Sequence, residues 1–454
     1  MNLILNPLWL VILPLGMAPV VYVVRRRGGL AGLLAGMTTL VTARLCLSMP
    51  FDWSLQVLGR NMLLRPADRM FLAFAFFLVT LYFIYAWSLS QGWSFSPFVL
   101  IIMGLFSAST MVDNTIIAVL LLEAAAALTV LVIQAGRHSS IKAGLHYLVT
   151  VTLAIPPLLI AAHLSEMRIL NPADTTLPRL TGLLLIFGFG LFLGVVPFQS
   201  WLSMVSTEAP PMVSAFLFSV GSSVVIFKMF GAFHKFPWLV TDGDVLHLAL
   251  LAGVASVILG GVLAAFQRDF GRLLGWAGLA DMGFLLVSLS PGSSEALAVS
   301  ALLLLNRWVA ISLICMGMGV LRRERQVDSF EAMAGVIWHK PFSVFGLAVG
   351  GLSLAGFPLT GGFTAHWLAL QVLTGEARKW IVVLILASIT ISIGYLRGVA
   401  QTAGEPTVEP NEAEPFPVRL LILGLVAVSM FLALYPQIAL QPITQVMTTL
   451  LVPK

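Results

Sequence analysis

The chain has 454 residues, of which 59% are hydrophobic and only 10% are charged. A soluble domain carries roughly a quarter of its residues as Asp, Glu, Lys or Arg, so this composition excludes an ordinary soluble protein and indicates a protein that lies mostly in a lipid bilayer. The formal net charge of +5 is spread over many loops, which favours a topology signal over a nucleic-acid-binding face.

Apolar runs bounded by charges, prolines and glycines predict fourteen membrane-spanning helices. They lie near residues 3–24, 28–49, 69–91, 97–112, 115–136, 142–165, 178–206, 209–234, 244–266, 272–292, 295–321, 341–375, 379–400 and 417–440. Helices of about 21 residues use most of the chain, so we expect short loops and no sizeable extramembrane domain. The first run precedes Arg25 and lacks a basic segment before it, which favours a retained spanning helix over a cleaved signal.

Two of these runs, 178–206 and 341–375, are unusually long and carry a proline near their middle, Pro197 in VVPFQSW and Pro358 in AGFPLTGGF. A helix broken inside the bilayer frees backbone groups that only protein or cavity water can satisfy. Paired interruptions in corresponding places also point to inverted repeats. We therefore predict an all-α polytopic membrane protein with three N-terminal helices (1–96), two inverted five-helix repeats (97–235 and 244–400), and an acidic loop with a last helix (401–454).

Lys and Arg are more frequent in the loops on one side of this predicted topology, which places the N-terminus on the non-cytoplasmic side of the cell's inner membrane. Cys46 and Cys315 are far apart, and the sequence has no CxxC motif and no histidine cluster at metal-ligand spacing. We therefore expect no metal site and no cofactor in this chain.

Ionisable residues inside spans are costly and suggest function. Glu123 lies at the centre of the fifth predicted span, where it either exchanges a proton or is a hydrogen-bonded structural carboxyl. Asp281 and Arg307 lie near the middle of the tenth and eleventh predicted spans and are expected to pair. Such a pair is either a static tie or a site at which Asp281 titrates while the permanently charged Arg307 sets the field.

Two further candidates are less central. His366 follows the second break, where it is either a proton exchanger or a hydrogen-bonded structural histidine. Lys228 lies about two turns from the end of the eighth predicted span, and its long side chain favours an interfacial position.

Four strings in the chain resemble those of one family of membrane subunits. They are VDNTIIAVLLLEAAAAL, VVPFQSWLSMVSTEAPPMVSAFL, FQRDFGRLLGWAGLADMGF and LSLAGFPLTGGFTAHW. Their order and spacing are similar to the antiporter-like subunits shared by respiratory complex I, Mrp-type cation/proton antiporters and membrane-bound group 4 hydrogenases. The resemblance implies fourteen helices, two inverted repeats, a central hydrophilic axis that carries protons or cations, and a larger multi-subunit enzyme.

The resemblance also assigns roles to particular residues. Glu123 matches the family's fifth-helix glutamate, and Pro197 and Pro358 match its two breaks. Phe192 and Ser223 stand where the seventh and eighth helices usually carry lysines, so the usual partners of Glu123 are neutral here.

Three more family positions are changed in the second repeat. Gly271 replaces a lysine, and Asp281 and Asn306 replace histidines. The twelfth-helix site, a lysine or glutamate in the family, is His366. The resemblance therefore implies an altered proton path.

Three functional hypotheses remain open at this stage. The first is an antiporter-like subunit of a complex I-related oxidoreductase, with no redox site of its own, whose proton transfer is confined to the second half or lost. The second is a self-sufficient secondary transporter, and the third is a structural membrane subunit that passes no protons. Under the first, the partners are the bilayer and other membrane subunits of a complex I-like, hydrogenase-like or Mrp-like assembly, with no nucleic acid.

Overall fold

The computed structural model describes residues 6–49, 53–57, 59–135, 141–171, 174, 176–242, 244–325, 328–405 and 413–451. Most of the predicted acidic loop, residues 406–412, lies outside this set. The described residues are mostly helical.

Up to the first break the helices are α1 (Trp9–Val23), α2 (Gly28–Ser48), α3 (Pro66–Ser88), α4 (Phe95–Met111), α5 (Thr115–Ile133), α6 (Ile141–Leu170) and α7 (Thr176–Leu193). Between the two breaks they are α8 (Ser200–Glu208), α9 (Pro211–Phe216), α10 (Ser222–Lys235), α11 (Trp238–Asp242), α12 (Val245–Phe266), α13 (Phe270–Leu289), α14 (Ser294–Arg325) and α15 (Pro341–Leu354). After the second break they are α16 (Gly361–Gln371), α17 (Ile381–Thr402), α18 (Phe416–Leu434) and α19 (Pro436–Leu451).

Shorter elements complete the fold. A π-helical turn joins α9 to α10 (Leu217–Gly221), and 3₁₀ turns cover Glu331–Met333, Val336–Trp338 and Gly375–Trp380. Strands β1 (Trp53–Val57) and β2 (Arg60–Leu64) pair antiparallel, with Trp53 opposite Leu64.

Eleven helices among the described residues are long and apolar enough to cross a bilayer, or up to twelve if α15 and the turns before it count as one span bent by 115°. The apolar α1 and α4 are shorter. Each of the fourteen predicted runs contains helix, so the prediction of a polytopic helical membrane protein is confirmed. The count of fourteen and the inverted repeats stay predictions.

Two local assignments from sequence were wrong. The segment between the second and third predicted spans forms the β1–β2 hairpin rather than a plain loop. The last predicted span, 417–440, is two helices, because α18 ends at Leu434 and α19 starts at Pro436. Proline has no amide hydrogen and disfavours helix in the residue before it, so the helix ends there.

The chain divides into two compact units. It runs in the first unit to Phe192, in the second from Leu193 to Ser219, returns to the first over Val220–Val245, and enters the second again at Leu246. Each of the two candidate sites described below lies within a single unit.

The break at Pro197 separates α7 from α8. Gly194 has φ of +64°, and a Cβ there would lie 2.8 Å from Nε1 of Trp201, so the turn requires glycine. The amide of Val196, freed by the break, donates to Oγ of Ser256 at 3.1 Å. The break is therefore satisfied by protein, as a break in the bilayer requires.

The break at Pro358 is built from a glycine cap. Gly356 has φ of +72°, its amide donates to the Ser353 carbonyl, and the Phe357 amide donates to the Leu352 carbonyl. This pair of bonds is a Schellman motif, which ends α15 and satisfies two of its last carbonyls. Both predicted helix breaks are thus present in the structure.

Asn306 holds the two sides of this break together. Its Nδ2 donates to the Ser353 carbonyl at 3.3 Å, and its Oδ1 accepts from Oγ of Ser353 at 2.8 Å. The same hydroxyl accepts from the Gly362 amide at the start of α16, at 3.0 Å. Because all three residues are buried, these bonds fix the geometry of the break.

Candidate functional site

The second unit contains a buried ion pair between α13 and α14. Nη1 of Arg307 lies 2.5 Å from Oδ2 of Asp281, and both side chains are about 2% exposed. The predicted pairing of these residues is therefore present. Two charges at this depth require further hydrogen bonds to offset their desolvation.

Arg307 obtains those bonds from backbone carbonyls. Its Nε donates to the carbonyl of Phe218 at 2.9 Å, and its Nη1 also donates to the carbonyl of Gly278 at 3.0 Å. Phe218 lies in the π-helical turn, where carbonyls are displaced from the regular helical pattern. The guanidinium thus joins α13, α14 and the turn, and it supplies a fixed positive charge beside Asp281.

His366 completes this cluster from α16. Its Nδ1 lies 2.9 Å from the carbonyl of Gly362, which can only accept, so Nδ1 carries a hydrogen. Its Nε2 faces Oδ1 of Asp281 at 3.9 Å, and that oxygen has no hydrogen-bond partner among the described residues. The ring of Phe284 packs edge-on against the imidazole, with centroids 4.5 Å apart.

A second cation, the partly buried Arg322, lies beside one of the changed family positions. Both carboxylate oxygens of Asp328 bind the guanidinium of Arg322, which also donates to the carbonyls of Ser206 and Ala209 at the end of α8. A Cβ added to Gly271 would lie 2.8 Å from Nη2 of Arg322 and 2.9 Å from Oδ2 of Asp328. Arg322 therefore occupies the space beside position 271 and places a positive charge there.

The first unit lacks the pairs that the resemblance implies. Glu123 is half-buried on α5 and makes no ion pair or hydrogen bond within the described part of the chain. Phe192 is 8% exposed and Ser223 is fully buried. Neither can supply the ammonium that the family positions usually carry.

The side chain of Lys228, on α10, is half-buried and bonds to the backbone of α4. Its Nζ donates to the carbonyl of Ser109 at 2.7 Å and lines a cavity together with Asp68 and Asp113. The carbonyl of Ser109 belongs to the last turn of α4, where carbonyls lack helical partners. A cation there also interacts favourably with the helix dipole.

Sequence reasoning missed three of these residues. Asp68 was placed in a loop because the third span was predicted to begin at residue 69, although Pro66 is a typical first residue of a helix. Arg322 counts among the loop cations of the predicted topology, and the sequence assigns no role to Asp328. Their pairing is not visible in sequence, because Arg322 is also held by the carbonyls of Ser206 and Ala209, which lie far away in the chain.

Metal binding finds no support in the part of the chain that is described, where no group of three His, Cys, Asp or Glu side chains could hold an ion. The expectation that the chain binds no cofactor is not tested by the structure. Among the described residues, charged side chains come together in the cluster around Asp281, in the pair of Arg322 and Asp328, and in the cavity around Lys228.

Comparison with known proteins places these residues in one family. The family model described as NADH:quinone oxidoreductase/Mrp antiporter, transmembrane, matches residues 112–393, a range that includes Glu123, Lys228, Asp281, Arg307 and His366. NADH-quinone oxidoreductase subunit N of Ectopseudomonas mendocina (strain ymp) is 31% identical over 268 residues, which is 56% of this chain and 53% of that protein. The same subunit of Chromohalobacter salexigens is 28% identical over 285 residues, 61% of this chain and 59% of that protein. The matched region thus spans little more than half of these curated relatives.

Solved structures share the fold over almost the whole chain. A chain of respiratory complex I from Thermus thermophilus has a TM-score of 0.82 at 19% identity and covers 99% of this chain and 100% of its own. A chain of the Mrp complex from Dietzia sp. DQ12-45-1b has a TM-score of 0.87 at 16% identity, with coverage of 100% and 98%.

A chain of the membrane-bound sulfane sulfur reductase, an archaeal respiratory membrane complex, has a TM-score of 0.86 at 17% identity, with coverage of 98% and 97%. At these identities the likeness concerns the fold alone. The family-model match extends over more than half of the residues and includes Lys228 in the first unit and Asp281, Arg307 and His366 in the second. This chain, a multi-pass membrane protein, belongs to the NADH:quinone oxidoreductase/Mrp antiporter transmembrane family.

Proposed function

We propose that this chain is an antiporter-like integral subunit of a multi-subunit, complex I-related oxidoreductase and that it takes part in proton or cation translocation coupled to electron transfer elsewhere in the complex. Family membership supports this role, as do three similar solved structures that come from multi-subunit membrane complexes. The chain itself contributes no redox centre. Its partners are other membrane subunits and the bilayer, and its N-terminus lies on the non-cytoplasmic side of the inner membrane.

The observation that carries the proposal is the buried cluster of Asp281, Arg307 and His366. Because Nδ1 of His366 donates to the Gly362 carbonyl, a neutral His366 presents an unprotonated Nε2 toward Oδ1 of Asp281. Two acceptors face each other in that state. One added proton removes this repulsion between acceptors, because either Nε2 of His366 or Oδ1 of Asp281 can hold the proton and donate it to the other.

The distance between Nε2 of His366 and Oδ1 of Asp281 determines how a proton can pass between them. A separation of 3.9 Å exceeds hydrogen-bond length, so the proton passes either after a movement of about 1 Å or through one bridging water. Arg307 stays charged throughout. Without the added proton the cluster is neutral overall, and with it the cluster carries one positive charge, which is the behaviour expected of a carrier site.

The first unit is altered relative to the family. Phe192 and Ser223 are neutral and buried, so the lysine relay that the resemblance implies is interrupted there. We propose that the proton path of this subunit runs mainly through the second unit. The same observation favours a second candidate function, a structural subunit that passes no protons.

The test is to replace the titrating groups in the native complex. Asp281→Asn and His366→Asn, reconstituted in proteoliposomes with the whole complex, are expected to lower the number of protons moved per electron pair while electron transfer continues. Unchanged proton stoichiometry in both variants would favour the structural role. If the purified native complex contains no redox or related antiporter chains, the oxidoreductase assignment fails, and uptake by the isolated chain would then indicate a stand-alone transporter.

A further inference from the structure

The first unit has a charged cavity that no family position assigns. Its volume is about 70 Å³, and a buried water needs roughly 10–15 Å³ measured in this way, so several waters fit. Arg65 and Asp68 at the start of α3, Asp113 between α4 and α5, and Lys228 and Lys235 on α10 contribute its charged lining. Polar lining and room for water together indicate a hydrated site.

The mouth of the cavity is formed beside the β-hairpin. Asp113 is held there by Nη2 of Arg65 at 3.6 Å and by Nζ of Lys235 at 3.7 Å, and these three side chains are about one third exposed. The Asp113 amide donates to the carbonyl of Asn61 in β2 at 3.1 Å. The carboxylate at the mouth is thus already compensated by two cations.

Lys228 and Asp68 form the remaining charged pair of the lining. Lys228 sits at the carbonyl end of α4 through its bond to Ser109, and Asp68 sits in the first turn of α3, where its Oδ2 accepts from the Arg65 amide at 3.4 Å. Each charge is placed at the helix end that stabilises it. Both side chains line the same cavity.

The inner end of the cavity is apolar. Leu122, Leu158, Leu185 and Phe189 line it, and Leu122 directly precedes Glu123 in α5. From Thr115 at the start of α5 to Leu122 is about 10 Å of helix, roughly a third of the hydrocarbon thickness. The partly exposed charges beside the hairpin therefore mark the side from which water can reach Lys228, and the lining at the other end is apolar.

The net charge of the cavity lining favours a proton over a bound metal cation. Arg65, Lys228 and Lys235 oppose Asp68 and Asp113, which leaves one excess positive charge when all five are ionised. A resident Na⁺ would add to that excess, and hard cations prefer sites rich in free oxygen ligands. A proton can instead be taken up or released by groups already present.

We propose that this cavity is a one-sided proton-exchange site in which Lys228 and Asp68 are the exchanging groups, and that it does not bind Na⁺. One proton moves in the step: it leaves the Lys228 ammonium for the Asp68 carboxylate or for cavity water, and it returns by the same route. Lys228 thereby supplies in the first unit a titratable amine that positions 192 and 223 lack. The role of this exchange in transport rests on the proposed function, while the exchange itself does not.

Water access is tested with one cysteine in the native complex. Gly231 lines the cavity, and a Cβ there meets nothing within 4 Å, so Gly231→Cys fits without strain. Membrane-impermeant thiol reagents are expected to label it from one side of sealed vesicles only, and an anionic reagent should react several-fold faster than a cationic one. Gly424→Cys on α18, another position with no atom near the added Cβ, is the matched outward-facing control, and the unmodified chain, whose Cys46 and Cys315 are buried, gives the background.

Variants at Lys228 separate charge from proton exchange. In the Gly231→Cys background, Lys228→Gln should abolish the preference for the anionic reagent, and Lys228→Arg should keep it because arginine retains the charge but does not deprotonate. In a pH step, infrared difference spectra should show a carboxylic acid band that Asp68→Asn removes and Lys228→Arg alters. Exchange of K⁺ for Na⁺ should leave labelling and spectra unchanged.

Labelling from neither side, labelling from both sides, or protection by Na⁺ would overturn the proposal. These measurements are made without turnover. Unchanged pumping in Asp281→Asn would therefore count against the proposed function and leave the cavity readouts as they are.

Discussion

Nε2 of His366 lies 3.9 Å from Oδ1 of Asp281, an oxygen with no hydrogen-bond partner among the described residues. The other oxygen of the same carboxylate binds Arg307 at 2.5 Å. In the Asp281 carboxylate, Oδ2 is therefore bound to Arg307, whereas Oδ1 can still accept a hydrogen bond or a proton. This asymmetry lets Asp281 gain a proton on Oδ1 without losing Arg307.

Asp281→Asn removes the negative charge but keeps the shape of the side chain. We expect it to lower the free energy of unfolding by about 3–5 kcal/mol, because Arg307 is left as an uncompensated buried charge. Chemical unfolding of the purified complex in detergent, followed by a probe in this chain, measures the change. In Asp281→Asn/Arg307→Met the loss should be smaller than in Asp281→Asn alone, and a loss equal to the sum of both single changes would contradict the coupling.

His366→Asn separates the structural role of the histidine from the titrating role. The amide nitrogen of asparagine can replace Nδ1 as the donor to the Gly362 carbonyl, whereas nothing replaces Nε2. We expect normal assembly and electron transfer with fewer protons moved per electron pair. Phe284→Leu, which removes only the ring contact, is the control and should change the proton stoichiometry less.

Arg322→Ala is expected to destabilise the chain by about 3 kcal/mol, because Asp328 and the carbonyls of Ser206 and Ala209 lose their donor. Gly271→Lys alone should also destabilise, since its side chain meets the Arg322 guanidinium. Combined, the two changes should cost at least about 1 kcal/mol less than their sum, as the new ammonium then has space beside Asp328. Strict additivity in chemical unfolding would show that Arg322 does not stand in for the missing lysine.

Asp174, in the short connection before α7, provides a pH prediction outside the membrane. Hydrogen bonds from the Thr176 hydroxyl, at 2.7 Å, and from the Thr176 amide, at 2.8 Å, hold the pKa of this carboxyl below its ordinary value. A lowered pKa contributes stability above the unfolded value near 3.9, and that stability is lost as the pH falls through the folded value.

Thr176→Val removes the hydroxyl donor and keeps the amide. The pKa of Asp174 should therefore rise toward its ordinary value, and the acid-induced loss of stability should shrink. NMR of the chain with labelled aspartate, assigned by the resonance missing in Asp174→Asn, measures the shift. An unchanged pKa would mean that the amide alone accounts for it.

Much of the fold follows from local sequence. Runs of apolar residues identify the helices because lipid leaves the backbone no other way to satisfy its hydrogen bonds. Pro197 and Pro358 mark the breaks because each proline removes a backbone hydrogen bond close to a glycine of positive φ, Gly194 or Gly356, whereas Pro156 and Pro157 lie inside the continuous α6. The hairpin was missed because two five-residue strands carry little signal beside twenty-residue helices, and Pro436 was misread because an apolar run continues across it.

The candidate site was only partly predictable. Asp281, Arg307 and His366 stand out because charges are rare inside spans, and the pairing of the first two was expected. Which oxygen of Asp281 faces His366, and which nitrogen of His366 is already occupied, depends on how α16 restarts after the break.

The sequence alone determined that this is a helical membrane protein that resembles one family, that two long apolar runs break at Pro197 and Pro358, and that the family's lysine positions at Phe192, Ser223 and Gly271 are neutral. Only the tertiary structure shows which charges lie in each unit: Arg322 beside Gly271 in the second, and Lys228 with Asp68 in the lining of one cavity in the first. The physical reason for this difference is that helix formation and helix breaks depend on residues that are neighbours in the sequence. Compensation of a buried charge acts through space, between groups such as Ser109 and Lys228 that lie far apart in the chain.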